Sequence, residues 1–174
     1  MLNIYFMKKL NILKTIVDVF WIFSTLLILI ILLAIPYILF VDNSNYFDIH
    51  ISGFKIKTID FPTKIFIIIQ MLSYLLLIYC LYIFRKILEY FVRNKIFNEL
   101  VLKNLNKMGV LLIICSFSMG ISSMLYEVFY TEKVTIALGF TPFVLLLCMG
   151  LFFMILSEIF KTSKIMKEEN QLTI

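Results

Sequence analysis

The sequence predicts an all-α membrane protein with four transmembrane helices and a small extracellular β-hairpin between the first two. Hydrophobic residues make up 62% of the 174-residue chain, and the mean hydropathy is +1.01. Four apolar runs each approach the length of about 20 residues that crosses a hydrocarbon core of about 30 Å as a helix. The runs cover approximately residues 17–41, 65–84, 109–129 and 141–160. Residues 1–174 are therefore predicted to form a single four-helix membrane domain.

Basic side chains are divided unequally between the two sides that these runs define. Twelve of the sixteen Lys and Arg residues lie before the first run, between the second and third, or after the fourth. Because cytoplasmic segments are enriched in Lys and Arg, we expect a multi-pass protein of the cell membrane with both termini in the cytoplasm. The middle loop 85–108 and the tail 161–174 are then cytoplasmic. Loops 42–64 and 130–140 lie outside.

The net charge of +5 follows from this topology and does not indicate a nucleic-acid surface. Nucleic-acid-binding domains cluster their basic residues on one folded face, whereas these residues are dispersed at the ends of helices. We expect the chain to contact the lipid bilayer and to bind no nucleic acid directly. The first run is long and lacks a small-residue cleavage site, which predicts an uncleaved span whether Met1 or Met7 is the true start.

No grouping of reactive side chains predicts chemistry. Cys80, Cys115 and Cys148 lie in three different runs, without the close spacing of a zinc or iron–sulfur site. The single histidine, His50, has no second ligand near it in the sequence. The middles of the runs carry no pair of carboxylates of the kind that acid–base catalysis requires. We expect no enzyme activity, no catalytic or metal-binding residues, and no cofactor.

Apolar and polar residues alternate on both sides of a turn in the first outside loop. Segments 47–51 and 54–58 flank Ser52 and Gly53, the pattern of a two-residue β-hairpin. The predicted pairs are Ile51 with Phe54, Ile49 with Ile56, and Asp48 with Lys57. An isolated hairpin is marginal in water, so its apolar face must dock somewhere. We interpret it as a lid on the outer ends of the helices; the alternative is a surface that binds an extracellular ligand.

Small residues recur along one face of the third run and reappear in the fourth. Such spacing lets helix backbones approach closely in lipid, so it predicts a packing seam, either within the bundle or in a homodimer. The candidate packing residues are Gly109, Ser116, Gly120, Ser123, Gly150 and Ser157.

Glu158 lies about one turn inside the cytoplasmic end of the fourth run, where an unpaired carboxylate facing lipid is costly. We hypothesise that it pairs with Arg85 or Lys86 at the matching depth of the second run. The alternative is a solvated acid among the lipid headgroups.

The end of the middle loop has the pattern of an amphipathic helix. Asn98 can cap it, and Val101, Leu102, Leu105 and Met108 form an apolar stripe. This helix either lies on the inner leaflet or forms a docking groove. The tail ends in apolar residues that membrane anchoring does not require, so we hypothesise that loop and tail together form a partner site. The candidate partner surface comprises Phe97, Leu102, Leu105, Glu168, Glu169, Asn170, Leu172 and Ile174.

Two segments resemble a family of small bacterial membrane proteins. Residues 96–109, IFNELVLKNLNKMG, resemble that family's N-P-F-x-x-E-N-x-x-R-L-R-x-I-G signature, although Ile96 replaces the usual Pro and Val101 a frequent Asn. Residues 156–160, LSEIF, and 168–174, EENQLTI, resemble its L-x-E-I-F and terminal E-E-N-x-L-T-I/V motifs. This is the domain of unknown function 2975 family, and the resemblance covers essentially the whole chain. It implies a four-span membrane protein, often encoded beside a very small helix-turn-helix regulator.

Together with the partner that the resemblance implies, these features favour an integral membrane protein that regulates or binds a small cytoplasmic helix-turn-helix regulator. Such a role needs only a stable bundle with cytoplasmic surfaces. The alternative is an accessory subunit of a transporter or a small oligomeric transport protein, although transporters usually carry ionisable residues or broken helices near the midplane.

Overall fold

Four long α-helices and two short strands make up the described part of the chain. The computed structural model describes residues 2–40, 49–51, 54–56, 60–131 and 141–172. The elements in chain order are α1 (Leu2–Phe40), β1 (Ile49–Ile51), β2 (Phe54–Ile56), α2 (Phe61–Val92), α3 (Glu99–Thr131) and α4 (Pro142–Leu172). All four helices are long and apolar enough to cross a membrane. The predicted all-α fold with four helices of membrane-spanning length is thus confirmed, and it indicates a multi-pass membrane protein.

The two strands lie between α1 and α2 and pair antiparallel. Ile49 pairs with Ile56 and Ile51 pairs with Phe54, which is the register that the alternation of apolar residues predicts. Residues 52–53, which would make the turn, and the predicted pair of Asp48 with Lys57 lie outside the described residues. The interpretation of this segment as a lid therefore stays a prediction.

The helices are longer than the apolar runs within them. α3 has 33 residues and α4 has 31, which at about 1.5 Å per residue gives lengths well above a hydrocarbon core of about 30 Å. The apolar part of α3 covers 109–129, and that of α4 ends at Phe160. Residues 99–108 and 161–172 are the parts of α3 and α4 that extend past these apolar runs. The supposed middle loop is mostly helical, because only residues 93–98 separate α2 from α3.

Side-chain contacts show that consecutive helices run antiparallel. Between α1 and α2, Asp18 contacts Arg85 and Trp21 contacts Tyr82. Between α2 and α3, Gln70 contacts Ser122 and Tyr79 contacts Lys107. Between α3 and α4, Ser116 contacts Phe143 and Glu99 contacts Lys164. The start of α1, the α2–α3 connection and the end of α4 consequently lie on one side of the bundle, which we call the termini side. The end of α1, the start of α2, the end of α3 and the start of α4 lie on the opposite side, which we call the strand side because the two strands come between α1 and α2 in the sequence.

The apolar core is concentrated between α2, α3 and α4 towards the termini side. Ile83 and Ile87 of α2 pack there against Val101, Leu105 and Met108 of α3. Helix α1, by contrast, keeps most of its large apolar side chains exposed, as is usual for a helix that faces lipid on several sides. Three of the helices therefore share a common core, and α1 is attached mainly to α2.

Helices α3 and α4 approach most closely at two glycines. A Cβ atom added to Gly109 would lie 2.6 Å from the carbonyl oxygen of Gly150, and one added to Gly150 would lie 2.8 Å from that of Gly109. The Ser116 hydroxyl donates to the Phe143 carbonyl at 2.7 Å, and that of Ser157 donates to the Leu102 carbonyl at 2.8 Å. These four small residues form the predicted packing seam, which joins two helices of the same chain.

The remaining two candidate packing residues behave differently. Ser123 faces α2, where its hydroxyl oxygen lies 3.3 Å from Nε2 of Gln70. Gly120 leaves room for a side chain, because an added Cβ would come no closer than 3.4 Å to the ring of Phe143. The close backbone contact that requires glycine at positions 109 and 150 therefore places no such requirement on position 120.

Three glycine-to-alanine variants test this difference between the glycines. We expect Gly109→Ala and Gly150→Ala each to destabilise the protein by about 1–3 kcal/mol, because the added methyl group must push two backbones apart. Gly120→Ala is the control, and we expect its thermal unfolding midpoint in detergent to stay within a degree or two of the parent, since surface-like changes cost about 0.5 kcal/mol or less. Equal losses at all three positions would contradict the close α3–α4 contact.

Candidate functional site

The candidate site is the surface formed on the termini side by the projecting ends of α3 and α4, residues 97–108 and 161–172, which we call the projecting pair. A tight connection leads into it: the backbone N–H groups of Arg93, Asn94 and Lys95 donate to the last carbonyls of α2, and Asn94 adopts a positive φ of 55°. Asn tolerates this left-handed conformation at the end of a helix. The first turn of α3 then begins at a cap, because Oδ1 of Asn98 accepts from the N–H of Leu100 at 2.9 Å. The predicted capping role of Asn98 is confirmed.

Charged and aromatic contacts hold the two projecting ends together. Nζ of Lys164 lies 3.2 Å from Oε1 of Glu99 and 3.7 Å from Oε1 of Glu168. Nζ of Lys167 lies over the ring of Phe97, 5.6 Å from its centroid. The ammonium group of Lys164 lowers the pKa of the Glu99 carboxyl, which favours the ionised pair. The lysines of the tail thus contact Phe97 before α3 and Glu99 in its first turn.

Two residues of the predicted partner surface lie in the core. Leu102 is 9% exposed and Leu105 is 1% exposed, so neither can meet a partner. The cause is that the stripe belongs to the first turns of α3, which continues straight into the bundle and does not lie on the bilayer surface. Its apolar face consequently packs against α2 and α4.

The other members of the predicted surface are either accessible or lie outside the residues that the structure describes. Phe97 is 37% exposed, and Glu168, Glu169 and Asn170 lie on the exposed end of α4. Helix α4 ends at Leu172, and Ile174 lies outside the described residues. The projecting pair therefore retains about half of the predicted surface, centred on Phe97 and the acidic end of α4.

The predicted ion pair between Glu158 and either Arg85 or Lys86 is wrong. Nε of Arg85 donates to Oδ1 of Asp18 at 2.5 Å, which joins α2 to α1. Lys86 lies over the ring of Tyr82, and Glu158, whose side chain is 70% exposed, has Lys161 as its neighbour at 3.3 Å.

Helix geometry explains this correction. The face of α2 that carries Arg85 meets α1, whereas the neighbouring face meets α4 through aromatic contacts such as Phe84 with Phe153 at 6.1 Å. Successive residues of a helix point about 100° apart, so Arg85 is turned away from α4. Matching depth alone could not distinguish these two faces.

Gln70, a buried glutamine that the sequence pattern did not point to, joins α2 to α3 on the strand side. Gln70 is 1% exposed, and its Nε2 donates to the hydroxyls of Ser122 at 3.2 Å and Ser123 at 3.3 Å. Its Oε1 is buried without a hydrogen-bond partner among the described residues. The hydroxyls of Ser73 and Ser118 form a further bond of 2.8 Å between the same helices. The signal that could have revealed this cluster is an amide within an otherwise apolar run.

The described residues contain no group of three or more His, Cys, Asp or Glu side chains that could hold a metal ion. Cys80 and Cys115 are buried free thiols and Cys148 is an exposed one. At the projecting pair, the described surface offers charged side chains, an aromatic ring and exposed apolar side chains.

Comparison with known proteins gives one match. The model of a family described as "Protein of unknown function (DUF2975)" matches residues 18–174, nearly the whole chain. No curated protein and no solved structure matches. The matched segment begins at Asp18 and so includes the described contacts of α2, α3 and α4.

The reassignment of Arg85 is testable with double-mutant cycles. We expect Asp18→Asn and Arg85→Gln to be coupled by about 0.5–1 kcal/mol in unfolding free energy, because both side chains are partly exposed and solvent screens the pair. We expect Glu158→Gln and Arg85→Gln to be additive. Coupling in the second cycle and none in the first, measured by unfolding in the same detergent, would restore the original pairing.

Proposed function

This chain is a member of the domain of unknown function 2975 (DUF2975) family, and we propose that it is a membrane-embedded regulatory protein whose projecting pair binds a small cytoplasmic DNA-binding regulator. The observation that carries the proposal is that α3 and α4 continue beyond their apolar runs as two helices joined by Lys164–Glu99 and Lys167–Phe97 contacts. Membrane anchoring needs neither the extra turns nor the contacts between them. An ordered two-helix surface outside the hydrocarbon suits recognition of another protein.

Exposed apolar side chains on the projecting pair support a protein partner. Leu100 is 51% exposed, Ile165 is 47% exposed and Met166 is 59% exposed. All three lie outside the apolar runs, so lipid tails do not cover them, and apolar groups of this size favour burial against a partner. Methionine is well suited to such a surface because its flexible side chain adapts to different shapes.

The charge of the same surface indicates what kind of partner face would fit. Within residues 97–108 and 161–172 five lysines outnumber three glutamates, and Lys103, Lys161 and Lys167 are among the exposed ones. Opposite potentials across an interface favour association and suppress wrong partners. We therefore propose that the regulator docks through a face that combines acidic and apolar side chains, leaving its basic DNA-binding face separate.

This proposal includes a topology in which the termini side faces the cytoplasm of a bacterial cell. Its support is the concentration of twelve of the sixteen Lys and Arg residues on that side, as the positive-inside rule requires. The strands would then lie outside the cell.

A transport role is the second candidate, and the Gln70 cluster is the observation that favours it. A buried amide with an unpartnered oxygen is costly in lipid, and such polar groups mark substrate or ion pathways in transporters. The bonds of Gln70 to two serines of α3 are equally suited to holding helices together. We therefore place the regulatory role first.

The topology can be tested by labelling single cysteines in a chain whose Cys80, Cys115 and Cys148 are replaced by Ala. In intact cells we expect an impermeant maleimide to label Lys55→Cys and to reach Asn104→Cys only after permeabilisation, because the two positions lie on opposite sides of the membrane. Labelling of both positions from the same side of the membrane would contradict this topology.

Partner binding can be tested by mild-detergent purification of the tagged protein from native membranes. We expect a small DNA-binding protein to co-purify with the full chain, and deletion of residues 168–174 or the pair Ile165→Ser, Met166→Ser to reduce its recovery about tenfold or more, because interfaces depend on a few buried side chains. Lys8→Gln, Lys9→Gln, at the other end of the chain, is the control. Undiminished recovery with both altered forms would refute docking at the projecting pair, and recovery of transport components in place of a regulator would favour the second candidate.

A further inference from the structure

Helix α1 contacts α2 through a seam of residues spaced seven apart. Leu10, Val17, Ile31 and Ile38 occupy this position in successive heptads, and each is less than 9% exposed. Ser24 occupies the middle position of the same series. Its short side chain cannot fill the space that Leu, Val or Ile fills above and below it, so the seam opens at this level.

The opening is a groove of about 300 Å³ between α1 and α2. It is lined by Ser24 and Leu27 of α1 and by Tyr74, Leu77, Ile78 and Leu81 of α2. The lining residues of α2 span two turns, or about 10 Å along the helix. All of them lie within the apolar run of their helix, so the groove is open to the interior of a bilayer and suits an apolar chain.

A cluster of aromatic and basic side chains lies one turn further towards the termini side. The rings of Trp21 and Tyr82 are 5.2 Å apart, and those of Tyr82 and Tyr79 are 6.3 Å apart. Nζ of Lys86 lies 5.0 Å from the centroid of the Tyr82 ring. Nζ of Lys107 donates to the Tyr79 hydroxyl at 2.8 Å. Three helices thus contribute to one exposed, positively charged cluster at the edge of the hydrocarbon.

The charge of this cluster is not neutralised within the part of the chain that the structure describes. Arg85, which adjoins Lys86 in the sequence, pairs with Asp18. Lys86 and Lys107 instead rest on tyrosine rings, and no ion pair joins either of them to a described carboxylate. Two ammonium groups that rest on neighbouring aromatic rings provide the charge that attracts an anionic headgroup.

The groove and the cluster are continuous. Trp21 precedes Ser24 by one turn, and Tyr82 adjoins Leu81, which lines the groove. Going from the termini side into the bilayer, a lipid would meet the two lysines, then the aromatic rings, then the groove. This is the order of phosphate, glycerol and acyl chain in a phospholipid of that leaflet.

We propose that one anionic phospholipid binds at this place, with its phosphate between Lys86 and Lys107 and one acyl chain in the groove at Ser24. Aromatic and basic residues occur at the interfaces of membrane proteins generally. Here the rings contact one another across α1 and α2, the lysines come from α2 and α3, and a groove continues from them. That arrangement binds one lipid molecule at one position. A belt of aromatic and basic residues, in contrast, orients the protein among many lipid molecules.

Trp21 gives a direct measurement, because it is the only tryptophan of the chain and lies in the cluster. The full-length protein is reconstituted in vesicles that contain increasing fractions of phosphatidylglycerol or phosphatidylcholine brominated on an acyl chain, and quenching of Trp21 fluorescence is followed. We expect the anionic lipid to quench with an apparent affinity about tenfold or more above that of the zwitterionic lipid, since each lysine near the surface contributes about a fivefold preference. Equal quenching by the two lipids would overturn the proposal.

Two variant pairs separate this site from the general attraction of anionic lipid to a basic protein. We expect Lys86→Gln, Lys107→Gln to reduce the preference for the brominated anionic lipid to about twofold or less, because both proposed phosphate contacts are lost. The control pair, Lys95→Gln, Lys161→Gln, removes the same charge from the same side outside the cluster, and we expect it to retain the preference. An equal loss of the lipid preference with both variant pairs would show that the basic side chains attract anionic lipid only generally and form no specific site.

Variants at the groove test the acyl-chain contact independently of charge. Ser24→Leu extends the apolar series of the α1 seam into the groove, and we expect it to weaken Trp21 quenching by the chain-brominated anionic lipid severalfold while leaving α1 folded, which its helical circular dichroism checks. Ser24→Ala keeps the groove open and should quench like the parent protein. Unchanged quenching by Ser24→Leu would exclude a lipid chain from the groove.

Discussion

Lipid tails are as apolar as the side chains of a transmembrane helix, so the helices of this protein cannot be held together by apolar burial alone. Close backbone approach and hydrogen bonds between helices must supply the attraction, and α3 provides both. Its Gly109 meets Gly150 of α4 at backbone distance, and its serines at 118, 122 and 123 bond to Ser73 and Gln70 of α2. Helix α3 is therefore the one to which both neighbours attach.

The position of the projecting pair follows from the glycine contact. With α3 and α4 in contact at Gly109 and Gly150, the turns towards the termini side remain adjacent, which brings Lys164 within 3.2 Å of Glu99. A side chain larger than hydrogen at the crossing would separate the helices and with them the ends that form the proposed docking surface. Packing at the glycine crossing thus determines the surface that α3 and α4 form on the termini side.

Helix α1 is held in a different way. It has neither a glycine contact nor a described network of buried serines. Its seam with α2 depends on Asp18–Arg85, on Trp21–Tyr82 and on apolar residues at four of five positions spaced seven apart. Few buried contacts imply lower local stability. The gap at Ser24 is tolerable because lipid can occupy it, whereas a comparable gap between α3 and α4 would remove the contact that joins them.

The sequence predicted those parts of the structure that depend on local pattern. Apolar length located four spans, small-residue spacing found Gly109, Gly150, Ser116 and Ser157, and the Asn98 cap fixed the start of α3. The pattern could not say which neighbour a given helix face meets. Arg85 and Glu158 share a depth but lie on faces that meet different helices, and this is why their pairing was wrong.

A similar limit explains the outcome at the candidate site. An amphipathic stripe such as the one that contains Leu102 and Leu105 looks the same whether it lies on a bilayer surface or begins a transmembrane helix. Only the continuity of α3 from Glu99 to Thr131 decides between the two. Gln70 was missed for another reason: its importance comes from Ser122 and Ser123, which are distant in sequence and near only after folding.

The central claim is that the polar and small residues of α3 bind both neighbouring helices within one chain. Disulfide cross-linking in native membranes tests it most directly, because the Ser73 and Ser118 hydroxyl oxygens lie 2.8 Å apart. In a chain without its native cysteines, Ser73→Cys, Ser118→Cys should oxidise rapidly to an intramolecular bond in the monomer. Ser73→Cys, Phe117→Cys should not, since Phe117 is 56% exposed on another face of α3. Efficient cross-linking of the second pair, or cross-linking of the first only between two chains, would contradict this account.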